Sequence, residues 1–411
     1  MPRRFNRGGL GSQSLRTMLW AFVGLGCSLV AGVITARLLG PSDRGLLSVL
    51  LTVVGIGTLV GGLGTNVALR VYLPKDPRVS VGGFFRLTRP LTLGVAVVLT
   101  PICFLVLHRM GHPPDIVLLA LVILLIVTTF LSTQTLDVFN ALHQSPRSAR
   151  INTLGFVVTM VALLGLWWAG LGLHWVVCAY VLGFATRAVV SRSMIRVEPI
   201  SVERDHTAAR LMRNGLPLLG TNVGQAMMLR ADQLMVGLVL GSHAAGMYAV
   251  AATPAGILTV IANSIGQPTF AEAAHGRLGW RGLARQLCLA LLITLAAAGA
   301  GIVLMPWALP LLFGEDFAGS VFVAQLLLLA QVTLAPYLIL SRAAAGYGLV
   351  RLAGAAGLGG AALLILTTSV MFVPIFGMAG AAMACIATFL IMDLTLIVGL
   401  AWKRPWPGQE R

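Results

Sequence analysis

The sequence predicts an all-α polytopic membrane protein of about twelve transmembrane helices in two six-helix bundles. Three observations carry that reading. The 411 residues are 57% hydrophobic and only 10% charged, and the mean hydropathy is +0.90, far above what soluble domains carry. Apolar segments near the ~20 residues needed to cross ~30 Å of hydrocarbon as a helix recur along the whole chain. One short turn sequence occurs twice. Leu39-Gly-Pro-Ser-Asp-Arg-Gly45-Leu-Leu-Ser-Val49 and Leu240-Gly-Ser-His-Ala-Ala-Gly246-Met-Tyr-Ala-Val250 share Leu39/Leu240, Gly40/Gly241, Gly45/Gly246 and Val49/Val250. Each copy follows the first apolar segment of its half, so a duplication is expected.

In chain order the segments are 17–38, 46–68, 90–108, 115–138, 151–169 and 173–191, then 215–239, 246–268, 287–312, 319–341, 353–374 and 377–401. The longest polar stretch between them, Arg192 to Asn214, holds Glu198, Glu203 and Asp205 and reads as a bridge between halves. The expected organisation is therefore a bundle over 1–192, a cytoplasmic linker over 193–214 and a second bundle over 215–411.

Charge sets the orientation. Of 29 Lys and Arg residues, 25 fall on alternate loops, including Arg70, Lys75, Arg147, Arg187, Arg192, Arg285 and Arg342. Three (Arg37, Arg44, Arg109) fall on the other side, and Arg230 lies within a span. By the positive-inside rule both termini are cytoplasmic, and an even number of spans follows. The net charge of +16 is thus a topology signal and does not point to nucleic acid. The Arg-rich start runs straight into a full apolar helix with no Ala-x-Ala site, which reads as a retained signal anchor. Trp167, Trp168 and Trp175 flank the Gly170–Gly172 turn, where indoles suit the headgroup region.

Several chemistries are not expected. There is no Gly-x-x-x-x-Gly-Lys-Ser/Thr phosphate loop, so no ATP hydrolysis by this chain. Cys27, Cys103, Cys178, Cys288 and Cys385 stand singly in spans, and the seven His residues are dispersed. Neither disulfides, a metal site, a cofactor nor catalytic residues are expected.

Polar residues at bilayer depth cost roughly 2.5–3.5 kcal/mol when charged, so they point to function. The seventh span carries Asn222, Gln225, Arg230, Asp232 and Gln233. On one continuous helix the five fall within about a 160° arc, a face suited to a water-filled cavity. Arg230 is the candidate anion-binding cation, with a structural ion pair as the other reading. Asn66 and Arg70 end the second span and are candidate substrate contacts. Asn263 and Gln267 stand near the corresponding end of the eighth. Gln134, Asp137 and Asn140 recur at the end of the fourth span. Asp137, Asp232 and Asp393 are the candidate coupling-ion acids.

The string Ala36-Arg-Leu-Leu-Gly-Pro-Ser-Asp-Arg-Gly-Leu-Leu47 resembles the turn after the first span of bacterial polysaccharide-biosynthesis membrane proteins, the O-antigen and capsule flippases. Gly215-Leu-Pro, Leu229-Arg-Ala-Asp-Gln-Leu234 and the turn at 240–250 resemble the start of that family's second half. The family belongs to the multidrug/oligosaccharidyl-lipid/polysaccharide exporter superfamily. The resemblance implies two bundles related by a pseudo-two-fold axis along the membrane normal, and alternating access of a cationic cavity to a polyprenyl-pyrophosphate-linked glycan. It also implies the cytoplasmic (inner) membrane, with a polysaccharide polymerase or glycosyltransferases as partners. The competing readings are a multidrug/cation antiporter of the same fold, a major-facilitator transporter and a non-transporting scaffold for envelope assembly. In the facilitator the Asp43-Arg44-Gly45 string would belong after span two, on the other side.

Overall fold

The computed structural model describes residues 10–74, 79–195 and 207–403. The bridge acids Glu198, Glu203 and Asp205 lie outside them. Every regular element described is helical. In order these are α1 (Leu10–Gly61), α2 (Thr65–Tyr72), α3 (Val81–Arg109), α4 (Ile116–Ala141), α5 (Ser145–Ala169), α6 (Leu173–Met194), α7 (Thr207–Met228), α8 (Ala231–Leu240), α9 (Ser242–Ala274), α10 (Trp280–Phe313), α11 (Val321–Gly346), α12 (Val350–Leu366) and α13 (Val373–Lys403). A 3-10 turn, Glu315–Ser320, leads into α11, and a π-helical turn, Thr367–Phe372, joins α12 to α13.

Among the described residues nine helices are long and apolar enough to cross a membrane. The expected twelve separate helices are drawn differently, as thirteen. The first and second segments form the single α1, kinked at Gly40 (φ 67°, ψ 179°). Straight, its 52 residues would reach about 78 Å, over twice the hydrocarbon thickness. Pro41 opens the second arm, where a missing N–H costs nothing. That arm ends at Gly61, and α2 follows after Leu63 and Gly64, both at positive φ. The twelfth segment sits in α13, broken at Gly377 (φ 59°, ψ −140°). The chain doubles back there, because a β-carbon at Gly380 would lie 2.0 Å from the Phe372 carbonyl oxygen. Continuous helix would hold those two positions about 12 Å apart.

Contacts divide the chain into two compact units. One comprises Met1–Leu38, Gly57–Leu105 and Pro114–Leu219; the other comprises Leu39–Ile56, Val106–Pro113 and Gly220–Arg411. In the first, Leu69, Phe84, Val138, Phe139 and Leu211 form a core where α2, α3, α4 and α7 meet. In the second, α11 is the central element, packed on α9, α10, α12 and α13. Its Leu334, Leu338, Ile339 and Leu340 are buried with Leu364, Phe389 and Leu396.

Both repeated turns lie in the second unit, and they touch. A β-carbon on Gly45 would stand 1.8 Å from the Ser242 carbonyl oxygen and 2.7 Å from the Gly246 nitrogen. One on Gly246 would stand 1.8 Å from the Pro41 carbonyl oxygen and 3.0 Å from the Gly45 nitrogen. Only glycine permits this backbone approach. Gly40 and Gly241 share positive φ, at 67° and 87°, and Val49 and Val250 are fully buried. Three of the four identities in the repeat thus have a physical cause.

Ahead of α4, Asp115 caps the helix by accepting from the Leu118 N–H at 2.8 Å, and His174 lies 3.1 Å from the same oxygen. These two contacts, the amide first, hold the Asp115 carboxyl below its usual range.

Gly40 has open space around its α-carbon, so Gly40→Ala carries only the backbone strain of its φ 67°, ψ 179° conformation, about 1–3 kcal/mol. Gly45→Ala must displace backbone and is expected to exceed that, at about 3 kcal/mol or more. Thermal unfolding of both variants in detergent checks the order; equal losses would overturn the glycine contact.

Candidate functional site

The seventh segment is two helices. α7 ends at Met228 and α8 starts at Ala231, with Arg230 between them at φ −143°, ψ −12°. The Arg230 N–H reaches back to the Met227 carbonyl at 3.2 Å. The break corrects the single polar face expected for Asn222, Gln225, Arg230, Asp232 and Gln233, since rotation about one axis no longer relates residues on its two sides. The physical reason lies at Asp232. The break places it in the first turn of a new helix, where the peptide dipole favours an anion. Two neighbouring helices supply further donors: the Tyr248 hydroxyl of α9 donates to Asp232 Oδ2 at 2.6 Å, and the Cys385 thiol of α13 at 3.5 Å.

Arg230 and Asp232 therefore part company. Asp232 is buried and Arg230 is exposed, and among the described residues Arg230 forms no ion pair. Gln233 is buried beside Asp232 in sequence, and Gln225 is half-buried on α7. The Asn222 and Gln267 side chains lie outside the described ones. Asp393 is buried on α13, and its Oδ1 has no hydrogen-bond donor among the described residues.

The first unit brings three candidates together. Asp137 of α4 pairs with Arg70 of α2 and accepts from Asn66 Nδ2 at 2.9 Å. Asn140 Nδ2 stands 3.4 Å from the other oxygen. The Asp137 side chain is 6% exposed and that of Arg70 is 46%, so the pair joins α2 to α4 with one end open. Gln134, a turn earlier, is buried with its Oε1 unsatisfied.

The second unit has a joint of the same design. Asp137 is residue 22 of α4 counted from Ile116, and Arg342 is residue 22 of α11 counted from Val321; both helices have 26 residues. Arg342 donates from Nη1 to the Asn263 carbonyl at 2.8 Å and from Nη2 to Asn263 Oδ1 at 2.5 Å. An asparagine meets the same helix position in each half, with the charge reversed.

Sequence reading missed a buried arginine. Arg187, expected with the loop cations, is residue 15 of the 22-residue α6 and only 7% exposed. Its guanidinium carbon lies 4.3 Å from the Phe156 ring centre and 4.6 Å from that of Phe184. The signal was present, because position 187 falls inside the predicted span 173–191. Counting it by its nearest loop hid that.

Removing Arg70 strands the Asp137 carboxylate. Breaking a fully buried pair costs ~3–5 kcal/mol, and the exposure of Arg70 lowers the expectation for Arg70→Met to about 1–3 kcal/mol. Adding Asp137→Asn is expected to restore most of it, as read from a double-mutant cycle of unfolding midpoints.

The polysaccharide biosynthesis protein family matches residues 12–274, nearly two thirds of the chain. No curated protein matches. Among solved structures, the chain is similar to lipid II flippase MurJ in its inward closed conformation, at 14% identity and a TM-score of 0.74, covering 95% of this chain and 87% of that one. It is similar to an inward-facing multidrug resistance MATE family transporter of the MOP superfamily at 15% identity and a TM-score of 0.72, covering 93% and 97%. A MOP superfamily transporter from Pyrococcus furiosus aligns at 14% identity and a TM-score of 0.58, covering 95% and 94%. At such identities these likenesses establish the fold. With nine helices able to cross a bilayer and this fold, the chain is a multi-pass membrane protein that belongs to the polysaccharide biosynthesis protein family.

Proposed function

We propose that the protein flips a polyprenyl-pyrophosphate-linked oligosaccharide across the bacterial cytoplasmic membrane by alternating access, supplying envelope polysaccharide synthesis. The observation that carries this reading is Arg230, an exposed cation without an ion pair among the described residues, set where a membrane helix is interrupted. The interruption leaves a guanidinium at the break, and a guanidinium favours phosphate. Gln225 and Gln233 flank it in sequence as polar contacts for sugar or phosphate, with Asn222 assigned the same part. Family membership supports the substrate class, and the structural relative MurJ is a lipid II flippase.

The reading includes twelve crossings, because α1 and the α12–α13 run each divide at a glycine and α7 with α8 supplies one more beyond the nine. Both termini are cytoplasmic, and the halves 1–192 and 215–411 are the two bundles. Polymerase or glycosyltransferases are the assigned partners. Asn66 and Arg70, tied to Asp137, serve as a joint on which substrate contacts depend, and Asp137 is correspondingly less suited to ion coupling than Asp393. A cation-coupled antiporter of the same fold is the second reading, favoured by the unanswered Asp393 Oδ1.

Arg230→Ala is expected to abolish glycan export, at least tenfold below wild type, with membrane abundance unchanged, and Arg230→Lys to retain part of it. Normal export by a well-expressed Arg230→Ala protein would sink the phosphate assignment. Drug resistance lost instead through Asp393→Asn would favour the antiporter.

A further inference from the structure

In the second unit α10 runs from Trp280 to Phe313, 34 residues. That is about 51 Å of helix, well beyond the ~30 Å of hydrocarbon. No charged residue occurs between Arg285 and Glu315. Arg281 and Arg285 thus stand where the apolar run begins, and exposed Trp280 opens the helix with a residue suited to the headgroup level. One strip of α10 faces lipid. Leu289 and Leu292 are 50% and 66% exposed, and Arg281, Arg285, Leu289 and Leu292 fall within about an 80° arc. Leu283, Ala290, Thr294 and Ala298 are buried, roughly 140–180° around the helix from Arg285.

Both arginines are exposed, and neither forms an ion pair among the described residues. Glu272, the acid nearest in sequence, accepts from Gln286 Nε2 at 2.7 Å, and Glu315 and Asp316 lie beyond the far end of α10. Within the protein the two cations are badly placed. They are one turn apart, where like charges repel, and they lie at the positive end of the helix dipole. The N-cap, Gly279, has no side chain to offset this. An anion outside the protein that meets both guanidiniums removes both costs. The third apolar segment of the first half opens in the same way. On α3 the exposed Arg86 and Arg89 share about an 80° arc with Leu93 and Val97, which are 70% and 73% exposed. No Asp, Glu, Lys or Arg follows there until Arg109.

We propose that the Arg281–Arg285 pair on the lipid-facing strip of α10 is a headgroup site for an anionic phospholipid of the surrounding bilayer. Charge and position together select that occupant. A headgroup phosphate at this level accepts from two guanidiniums while its acyl chains run along Leu289 and Leu292. A soluble anion gains only the charge, and a zwitterionic lipid brings its own cation to the same place. The occupant is a lipid of the membrane and not the cargo, so the site stands whether or not Arg230 binds phosphate.

Cys288 provides the reporter. It is exposed about 60° around α10 from Arg285, whereas Cys27 and Cys178 are half-buried and Cys103 and Cys385 buried. The full chain, with Cys27 and Cys178 changed to alanine, is labelled at Cys288 with a fluorophore and reconstituted in mixed phosphatidylcholine and phosphatidylglycerol. One lipid carries a nitroxide quencher on its acyl chain, then the other. Phosphatidylglycerol is expected to quench about fivefold or more better per lipid. Arg281→Gln/Arg285→Gln is expected to abolish that preference, and Arg147→Gln, at an exposed arginine of the first unit, to leave it intact. Equal quenching by the two lipids before any arginine is changed, or a preference that the double variant keeps, would overturn the site. Should the double variant fail to fold, salt decides: about 1 M is expected to erase the preference, and a preference that persists sinks the proposal.

Discussion

A cation inside hydrocarbon must be answered from within the protein, because lipid offers it nothing and insertion costs a few kcal/mol each time. Three arginines in this chain meet that requirement in three ways, and a fourth does not. Arg70 takes a carboxylate, Asp137. Arg342 takes the carbonyl and amide oxygens of one asparagine. Arg187 takes two aromatic rings, those of Phe156 and Phe184. Arg230 stands exposed at a helix break. The first two close off charge and bind helices together. The last has no ion pair among the described residues.

The joint at residue 22 of α4 and of α11 is alike in position and opposite in charge. The backbone position persists, and so does an asparagine from the facing helix. The charge changes sign, from Asp137 to Arg342, without altering which elements are joined. An amide that can both donate and accept makes this reversal possible: Asn66 donates to a carboxylate, and Asn263 accepts from a guanidinium. The two halves thereby share a frame while presenting opposite electrostatics at one place.

Much of this was legible in the sequence, for reasons of scale. Spans announce themselves through some twenty consecutive residues, so hydropathy found a helix for every segment. The family followed from strings at 36–47 and 215–250. What escaped were decisions made by single residues in three dimensions. Nothing in Leu229-Arg230-Ala231-Asp232 marks a break, as there is neither proline nor glycine; donors on Tyr248 and Cys385, 16 and 153 positions from Asp232, favour it. Arg187 escaped because its answer, Phe156, belongs to another helix. Asp137 and Arg70 were both noticed, yet their pairing across 67 positions was invisible to a reading made along one axis at a time.

The meeting of Gly45 with Gly246 has a further consequence. It is a contact between two main chains with no side chain on either face, so it holds no chemistry that a substitution can adjust. Neighbouring positions may drift toward different cargoes, as Ser48 and Ala249 or Arg44 and Ala245 already differ between the copies. These two glycines have nowhere to drift. They are the fixed point about which the two copies of the turn are free to become unlike.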